Sequence, residues 1–242
     1  MGWKVTVIEA FDLPDAWYRC LKKCFEEGYE YTVQRGSFVG HKRRELDNAV
    51  IVVRKPDNPP LVPDVPQGVP PPTSMDYINR YLGYLYTSYK QDEEYTYGER
   101  LTAAQLSQTD KIEGSRIRQV NQIDEVIKML RETPETNQAC VEVGMPTDIL
   151  LKDPPCLRLL DFRVRYGKLH MFCYFRSWDL WAGFPANLAA LEMLKQYMAK
   201  EIGVENGTIN AYSKGLHLYD YTWEWVKQVL YPKMERGKWF KP

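Results

Sequence analysis

Hydrophobic and polar residues alternate in several short segments of the first half of the chain. Residues 4–8 alternate in this way and predict a strand, and the apolar spacing after them predicts a helix that ends at Gly28. β-Branched residues dominate two further predicted strands, 31–33 and 49–53, on either side of a basic turn at residues 41–44.

Apolar residues at helical spacing predict further helices, and a predicted hairpin lies between them. The predicted helices span residues 74–88, 120–134, 185–201 and 217–230. The predicted strands are 139–143, 159–165, 169–175 and 208–212, with Tyr166-Gly167 as the turn of the hairpin. This mixture indicates an α+β fold, which we expect to form a mixed, largely antiparallel sheet flanked by helices.

Proline dominates the region between the predicted strand 49–53 and the predicted helix 74–88. Eight prolines fall between Pro56 and Pro72, and the region has little periodicity. Such a segment forms no regular element, so residues 56–73 are predicted to be an extended loop. A chain of 242 residues does not require two domains. We therefore expect the loop to be an excursion within one domain that spans residues 1–242.

Charge and composition argue against several classes of partner. Lys+Arg and Asp+Glu both number 32, so no global positive field attracts a nucleic acid. The basic run at 41–44 continues directly into Glu45 and Asp47, which is typical of a solvated face, although it has charge enough to meet one phosphate. No apolar run approaches the ~18 residues of a membrane span, and charged residues follow the start too soon for a signal peptide. We expect a cytoplasmic protein.

One of the five cysteines, Cys156, stands in a context that favours reactivity. The odd number and the absence of a CxxC pair favour reduced thiols over disulfides or a zinc site. Cys156 follows the rigid segment Asp153-Pro154-Pro155 and precedes a predicted strand. Arg158 and Arg176 are close enough in the predicted hairpin to stabilise a thiolate by charge. Cys156 is therefore the candidate nucleophile.

Four short motifs follow one another between Pro154 and Tyr219. They are Pro155-Cys156, Arg176-Ser177-Trp178-Asp179, Gly183-Phe184-Pro185-Ala186-Asn187 and His217-Leu218-Tyr219. In this order and spacing they resemble the P-C, R-S-x-D, G-x-P-x-N and H-x-Y signatures of the thymidylate synthase family. Asn137-Gln138 and Cys156-Leu157-Arg158 make the chain similar to archaeal, methanogen-type members.

The resemblance implies a role for each matching residue. It implies catalytic roles for Cys156, Tyr97 and Asn187, and a contact between Asp179 and the pterin ring of a one-carbon donor. It also implies a set of residues that hold the nucleotide: Arg35, Arg176, Ser177, Asn187, His217 and Tyr219. In the family pattern Arg176 and Ser177 meet the 5′-phosphate, whereas His217 and Tyr219 meet the sugar hydroxyl. No metal is implied.

The implied reaction is the reductive methylation of dUMP to dTMP. Carbon 5 of uracil is a poor nucleophile, and a thiolate that adds at carbon 6 converts the ring into an enolate that attacks a one-carbon unit. The Asn187 amide offers a donor for O4 and an acceptor for N3–H, so it suits uracil, whereas an acidic residue there would suit cytosine. Taken alone, Asn187 is equally a polar residue of a helix first turn. The implied donor is a methylene-tetrahydrofolate or a methylene-tetrahydromethanopterin type.

Some parts of the chain depart from the family pattern. Asn137-Gln138 stand where most members carry an arginine pair that reaches the partner's phosphate. The catalytic glutamate segment has no counterpart, and Asp76 and Glu94 are weak substitutes. The segment Lys238–Pro242 does not match the tail that closes over the folate, so we expect a different donor pocket.

Phosphate binding is expected to depend on Arg176 and Arg35, with help from Arg43, Arg44 or Arg158. The resemblance also implies a homodimer in which sheets pack against each other. Two alternatives stay open: a 5-hydroxymethyltransferase on the same fold, and a relative that binds nucleotide without catalysis. Trp178 and the nearby Trp181 either shield an intermediate from water or pack as ordinary core residues.

Overall fold

The computed structural model describes residues 2–106 and 119–232 of the chain. The strands in these two ranges are β1 Thr6–Ala10, β2 Tyr29–Thr32, β3 Lys42–Leu46, β4 Ala49–Val53, β5 Ala104–Gln105, β6 Gln119–Val120, β7 Cys140–Glu142, β8 Leu157–Arg165, β9 Lys168–Phe175, β10 Trp178–Asp179, β11 Glu205–Ser213 and β12 Leu216–Tyr219. The α-helices are α1 Leu13–Glu27, α2 Met75–Tyr86, α3 Tyr97–Thr102, α4 Gln122–Glu132, α5 Gly183–Ile202 and α6 Trp223–Leu230. Two short 3₁₀ helices cover Pro146–Leu150 and Asp220–Thr222.

The largest sheet has six strands in the order β1-β4-β11-β9-β8-β7. The pairs β1–β4 and β9–β11 are parallel, whereas β4–β11, β8–β9 and β7–β8 are antiparallel. Helices α1, α4 and α5 pack against this sheet. The mixed sheet with its helices confirms the predicted α+β class.

A second sheet of four strands has the order β10-β12-β3-β2. Strand β12 lies in its interior, parallel to β10 and antiparallel to β3. All four residues of β12 are buried. A small third sheet pairs β5 with β6.

The helices begin and end where the sequence places capping residues. Asp12 precedes α1, and its carboxylate accepts the amide of Asp15 at 3.0 Å. Ser74 does the same for α2. Helix α5 ends at Gly203, whose φ of +87° is a left-handed conformation that glycine adopts without a side-chain penalty.

A buried tryptophan links α1 to the loop before α5. Trp17 is only 1% exposed, and its indole Nε1 donates to the carbonyl oxygens of Leu180 at 3.0 Å and Trp181 at 3.2 Å. The Trp17 and Trp181 rings lie 5.5 Å apart. A buried indole N–H needs an acceptor, so these bonds satisfy the polar end of a large apolar side chain.

Two predicted elements are wrong, and both errors concern residues near the second sheet. The segment from His217 is not the start of a helix: residues 216–219 form β12, and α6 begins only at Trp223. The basic residues 41–44 are not a turn, because β3 runs from Lys42 to Leu46. In both segments the pairing of β12 with β3 supplies backbone hydrogen bonds that local propensity did not anticipate.

Other predictions agree more closely with the structure. The hairpin turn falls at Tyr166 and Gly167, which have φ angles of +53° and +71° as a tight hairpin turn requires. Residues 56–73 contain no helix or strand, as predicted, although Val69 within them is buried. Helix α3 was not predicted. None of the described helices is long and apolar enough to cross a membrane.

A fully buried ion pair lies on α5, away from the candidate active site. Lys195 Nζ is 3.1 Å from Glu192 Oε2, and both side chains have 0% exposure. The ammonium also donates to Asn206 Oδ1 at 2.7 Å and to the Gly207 carbonyl at 2.6 Å. Removal of one charge would leave the other buried without its partner, which typically costs more than the pair contributes.

We predict that Lys195→Met lowers the free energy of unfolding by about 3–5 kcal/mol, because Glu192 loses its counter-charge in the core. Urea denaturation followed by circular dichroism measures this change. The matched control is Lys200→Met on the exposed side of the same helix, for which we expect a change within about 0.5 kcal/mol. A loss below about 1 kcal/mol for Lys195→Met would contradict the prediction.

Candidate active site

The β8–β9 hairpin brings Cys156 and Arg176 together. Cys156 immediately precedes β8 and Arg176 immediately follows β9, so the tight turn at residues 166–167 places them opposite each other. The Arg176 amide donates to the Cys156 carbonyl at 2.8 Å. Two residues that lie 20 positions apart in sequence thus become neighbours through strand register alone.

A cavity of 460 Å³ opens beside these two residues. Seven of the predicted site residues line it: Arg35, Cys156, Arg176, Ser177, Asp179, His217 and Tyr219. Arg43 and Lys152 also line it, so the wall carries four cationic side chains against the two carboxylates of Asp153 and Asp179. A concave site with a thiol and an excess of cationic groups suits an anionic ligand.

Strand β12 aims His217 and Tyr219 at this cavity. Side chains two residues apart on a strand share a face, whereas the predicted helix would have turned them in different directions. Across the ladder, Tyr219 lies opposite Arg43 and His217 opposite Glu45. The Arg43 guanidinium donates to the Tyr219 hydroxyl and lies 4.7 Å from the centre of its ring.

His217 is neutral and has one unused acceptor. Burial lowers the pKa of His217 to about 3, and the nearby charge of Arg43 adds to the effect. Its Nδ1 lies 2.8 Å from the Gly215 carbonyl, which accepts only, so the proton of the neutral ring is on Nδ1. The other nitrogen, Nε2, is buried without a partner in residues 2–106 and 119–232. A ligand hydroxyl could donate to this nitrogen.

Arg176 is held toward the loop that precedes the nucleophile. Its Nε donates to the Pro155 carbonyl at 3.1 Å, and its Nη2 donates to the Pro154 carbonyl and lies 3.2 Å from the Asp153 carboxylate. The Asp153 carboxylate also accepts the Ser37 hydroxyl at 2.6 Å. The guanidinium therefore holds the loop that precedes Cys156 in place. One of its contacts, the ion pair with Asp153, is exposed, and a phosphate can replace the carboxylate there.

The Cys156 thiol is held in its protonated form by its surroundings. Burial raises the pKa of Cys156, and the carboxylates of Asp153 and Asp179 raise it further, whereas Arg176 and Arg43 lower it. Among the titratable cavity residues, none forms a hydrogen bond to the sulfur in the described structure. Burial is the largest cause of the raised pKa, and the nearby charges increase or decrease the fraction of thiolate that remains.

Asp179 links the cavity to the start of α5. Its Oδ1 accepts the Trp181 amide at 3.3 Å, and its Oδ2 accepts the amides of Ala182 at 3.1 Å and Gly183 at 3.0 Å. Burial raises the pKa of Asp179, while these backbone hydrogen bonds act against the increase. A carboxylate accepts about four hydrogen bonds, so Asp179 keeps capacity for a ligand.

Asn187 and Tyr97 line neighbouring cavities instead of the one beside Cys156. Asn187 and Gly183 border a cavity of 430 Å³ that also contains Tyr77 and Tyr81. These two tyrosines also line a further cavity of 420 Å³ with Tyr84, Tyr95 and Tyr97. We call the two adjoining cavities the tyrosine cleft.

The tyrosine cleft lies directly behind the nucleophile. The Tyr97 hydroxyl accepts the amide of Leu157, the residue after Cys156, at 3.1 Å. Burial raises the pKa of both Tyr97 and Tyr81, and Cys156 in its ionised form contributes to both shifts. Tyr81 also contacts Asn187, so it connects the predicted base-reading residue with the surroundings of the thiol.

A buried charge network anchors the loop that forms one wall of the cavity. The Asp148 carboxylate accepts hydrogen bonds from the Arg100 guanidinium at 2.7 and 2.8 Å and from the Arg158 guanidinium at 2.6 Å. Burial opposes ionisation of Asp148, but its hydrogen bonds to Arg100, the Met145 amide and Arg158 outweigh it and lower the pKa to about 2. Arg158 is therefore committed to Asp148, which corrects the expectation that it stabilises the thiolate.

Other residues singled out in the sequence lie elsewhere. Arg44 packs over Phe25 and donates to its carbonyl at 2.9 Å, so it does not face the cavity. Asp76 and Glu94 are exposed and line neither the Cys156 cavity nor the tyrosine cleft. Residues 238–242, which carry the mismatch to the family's closing tail, lie outside the described residues.

Asn137 and Gln138 are exposed and do not line the Cys156 cavity. Trp178 is 1% exposed and Trp181 is 4% exposed, and neither lines that cavity, so packing is the better of the two earlier interpretations for them.

Several basic residues and Tyr97 were expected in the site from the sequence, whereas Lys152 and the other tyrosines of the cleft were not. Arg43 was only one of three candidates, and the structure selects it because β3 turns alternate side chains to opposite faces. Recognition of β3 as a strand opposite the H-x-Y segment would have found it. Tyr77, Tyr81 and Tyr84 recur at helical spacing along α2, a signal of the tyrosine cleft that the prediction of this helix did not use.

Comparison with known proteins identifies the family. Residues 75–237 match the family model described as thymidylate synthase. The chain belongs to the thymidylate synthase family. A relative from Methanosarcina acetivorans is 32% identical over 226 residues, which cover 93% of this chain and 94% of the relative. Another from Methanothermobacter thermautotrophicus is 28% identical and covers 92% and 97%.

Both relatives carry the name "Putative thymidylate synthase", as does one from Methanococcoides burtonii that is 31% identical over 93% of this chain and 94% of its own length. The similarity to the thymidylate synthase family drawn from the four motifs is therefore confirmed, and the named relatives come from methanogens. The family match includes Cys156, Arg176, Asn187 and His217.

We predict that Asp153→Asn accelerates alkylation of Cys156 by iodoacetamide about three- to tenfold near neutral pH. The substitution removes a charge that raises the pKa of the thiol, so more thiolate is present at a given pH. The measurement is time-resolved intact mass in a Cys140→Ser background, because Cys140 is the exposed cysteine among the described residues. A rate unchanged or slower than that of the background protein would refute this electrostatic account.

Proposed function

We propose that this chain is a thymidylate synthase that converts dUMP to dTMP by way of a Cys156 thiolate. The observation that carries the proposal is the meeting of three different groups in one cavity: the Cys156 thiol, the His217 Nε2 that has no partner among the described residues, and a cationic wall. Each group serves a different part of a nucleotide. Together they argue for a catalytic site rather than for a packed cysteine.

The cationic wall supports binding of the 5′-phosphate. Arg35, Lys152 and Arg176 line one cavity with the hydroxyl of Ser177, so guanidinium, ammonium and hydroxyl donors are all available to phosphate oxygens. The contact between Arg176 and Asp153 is exposed and therefore weak, and a dianionic phosphate would compete for it effectively. Most family members carry an arginine pair where this chain has Asn137-Gln138. In this proposal the groups of the cationic wall take over the role of that pair.

His217 supports binding of a sugar hydroxyl. Its Nε2 is an acceptor that is already dehydrated, and a buried acceptor without a partner is costly. A hydroxyl that donates to this nitrogen would recover that cost on binding. The Tyr219 hydroxyl, held by Arg43, lies on the same face of β12 and would be the second contact to the sugar.

The phosphate and sugar contacts would place the pyrimidine ring near Cys156 and Asn187. Arg176 and Arg43 lower the pKa of Cys156 and so favour the thiolate, and a bound substrate that leaves these charges near the sulfur would keep that effect. The thiolate would then add at carbon 6, and carbon 5 would become the nucleophile toward the one-carbon unit. The Asn187 amide would read N3–H and O4 of the uracil ring.

The tyrosine cleft fits a reduced pterin donor. Tyr77 and Tyr81 lie parallel, with an interplanar angle of 8° and 6.1 Å between ring centres, and offer flat surfaces for a heterocycle. Asn187 and Gly183 line the cleft, and the Asp179 carboxylate lies beside them, because it accepts the Gly183 amide at 3.0 Å. When bound, a methylene-tetrahydropterin of the folate or methanopterin type would supply both the carbon and the hydride. The tyrosine rings would exclude water from the reacting carbon.

The decisive experiment is tritium release from [5-³H]dUMP with methylene-tetrahydrofolate or methylene-tetrahydromethanopterin as donor. We expect release together with stoichiometric dTMP, and at least a thousandfold loss of both for Cys156→Ala, because the nucleophile is absent. Cys140→Ser is the matched control that should keep full activity. Release without dTMP would favour hydroxymethylation, and no release with either donor would favour a relative that only binds nucleotide.

We further propose that the chain forms a homodimer through the open face of the large sheet. One row of side chains crosses this face: Val7, Val50, Tyr212, Tyr174 and Leu159. Val7 is 62% exposed, and the Tyr174 and Tyr212 rings are 5.3 Å apart. A second copy would cover apolar surface of this kind, because isolated domains seldom leave such a row exposed.

We predict that Tyr212→Lys shifts the protein from dimer to monomer at micromolar concentration, because an uncompensated charge would be buried at the centre of this face. Sedimentation velocity measures the shift. The matched control is Tyr166→Lys at the exposed hairpin turn, which should leave the dimer intact. A monomeric wild-type protein, or a dimer that tolerates Tyr212→Lys, would overturn the proposed interface.

A further inference from the structure

Two side chains hold the amide of Asn187. The indole Nε1 of Trp178 donates to Asn187 Oδ1 at 3.0 Å, and Asn187 Nδ2 donates to the Tyr81 hydroxyl at 3.3 Å. An indole N–H is a donor only, so only the carbonyl end of the amide can face it. A phenol hydroxyl both donates and accepts, so Tyr81 is compatible with either end. Trp178 alone therefore imposes a direction on the amide.

The core holds the Trp178 ring in one position, so its N–H can fix the direction of the Asn187 amide. Its ring stacks on Phe175 at 3.8 Å with an interplanar angle of 5°, and it packs against Phe184 at 4.6 Å. Its backbone amide donates to the Gly215 carbonyl at 2.8 Å, and the side chain is 1% exposed. The indole cannot turn away without disruption of the core, so its N–H points in one direction.

The direction of the Asn187 amide matters for base choice. After its bonds to Trp178 and Tyr81, the amide keeps one acceptor site and one N–H donor. Uracil presents a donor at N3 and an acceptor at O4, whereas cytosine presents an acceptor at N3 and a donor at its amino group. The same amide would suit cytosine if it were turned over by 180°. That turn would direct the Nδ2 protons at the indole N–H and leave both donors unpaired.

We infer that Trp178 is a specificity-determining positioning residue, which makes the enzyme prefer uracil to cytosine nucleotides by holding the Asn187 amide in one of its two orientations. This inference rests on the proposed function, because it assumes that Asn187 reads the pyrimidine edge. Trp178 touches neither the Cys156 cavity nor the tyrosine cleft. It acts only through Asn187.

The test is the ratio of dissociation constants for dCMP and dUMP, measured by calorimetry for the wild-type protein and Trp178→Phe. Phenylalanine keeps an aromatic ring between Phe175 and Phe184 and removes the N–H. We expect the ratio to fall about tenfold, through weaker dUMP binding and stronger dCMP binding, because the amide can then turn over. General damage to the site would weaken both ligands and leave the ratio unchanged.

Trp17→Phe is the matched control, because it removes a hydrogen-bonded N–H from an equally buried indole that does not contact Asn187. We expect its ratio to stay within twofold of the wild-type value. A second control is Trp178→Phe in an Asn187→Asp background. A carboxylate has two equivalent oxygens and no direction to hold, so the indole should no longer affect the ratio.

If Trp178→Phe does not fold, site-specific replacement of Trp178 by benzothienylalanine gives the same test, because a sulfur takes the place of the N–H in a ring of the same shape. A ratio that either variant leaves within twofold of wild type, in a protein that binds dUMP and releases tritium, would overturn this inference alone. A wild-type protein that binds neither nucleotide, or shows no preference for dUMP, would overturn the proposed function and this inference with it.

Discussion

The antiparallel pairing of β8 with β9 is the constraint on which the rest of the site depends. Its register places Cys156 opposite Arg176, and the amide of Arg176 closes the end of the ladder on the Cys156 carbonyl. The same strand end leads directly into Ser177, Trp178 and Asp179. A shift of register by one residue would turn these side chains to the other face of the sheet. One hairpin thus positions the Cys156 thiol, the Arg176 guanidinium and the Trp178 indole that orients the Asn187 amide.

Burial acts in opposite directions on the two chemically important groups of the cavity. It raises the pKa of the Cys156 thiol and lowers the pKa of His217 to about 3, because in each case the charged form is disfavoured. The neutral histidine is useful as it stands, since an uncharged ring keeps the acceptor at Nε2. The thiol, in contrast, must lose its proton and become charged before it can act as a nucleophile. Arg176 and Arg43 lower the pKa of the thiol and offset part of the effect of burial, but the net pKa stays raised.

Two hydrogen-bonding layers therefore surround the reacting position. One layer includes the residues that contact a ligand in the Cys156 cavity or the tyrosine cleft, and their neighbours orient them: Arg43, itself in the cavity wall, holds Tyr219, Gly215 fixes the tautomer of His217, and Trp178 holds Asn187 beside the cleft. Trp178 and Gly215 are buried, and Arg43 and Trp178 belong to strands of the second sheet. A site built this way is positioned by the core, so its geometry is as rigid as the packing that supports it.

Sequence alone was enough to find the family and most of the cavity, because four motifs kept their order and spacing. It was also enough for the hairpin, since local turn chemistry at Tyr166-Gly167 sets the register between Cys156 and Arg176. It failed where long-range pairing decided the outcome. The run after His217 has an apolar pattern that suits a helix, yet β3, more than 170 residues earlier, pairs with it as a strand.

The sequence by itself determined which chemical groups are available and which of them lie close through local geometry. The tertiary structure decided which cation faces the cavity, because the alternation of β3 sends Arg43 inward and Arg44 toward Phe25. It also decided that Arg158 is bound to Asp148 and that the indole of Trp178 meets Asn187. These contacts depend on the position of one strand or helix relative to another, and no local pattern of residues encodes that position.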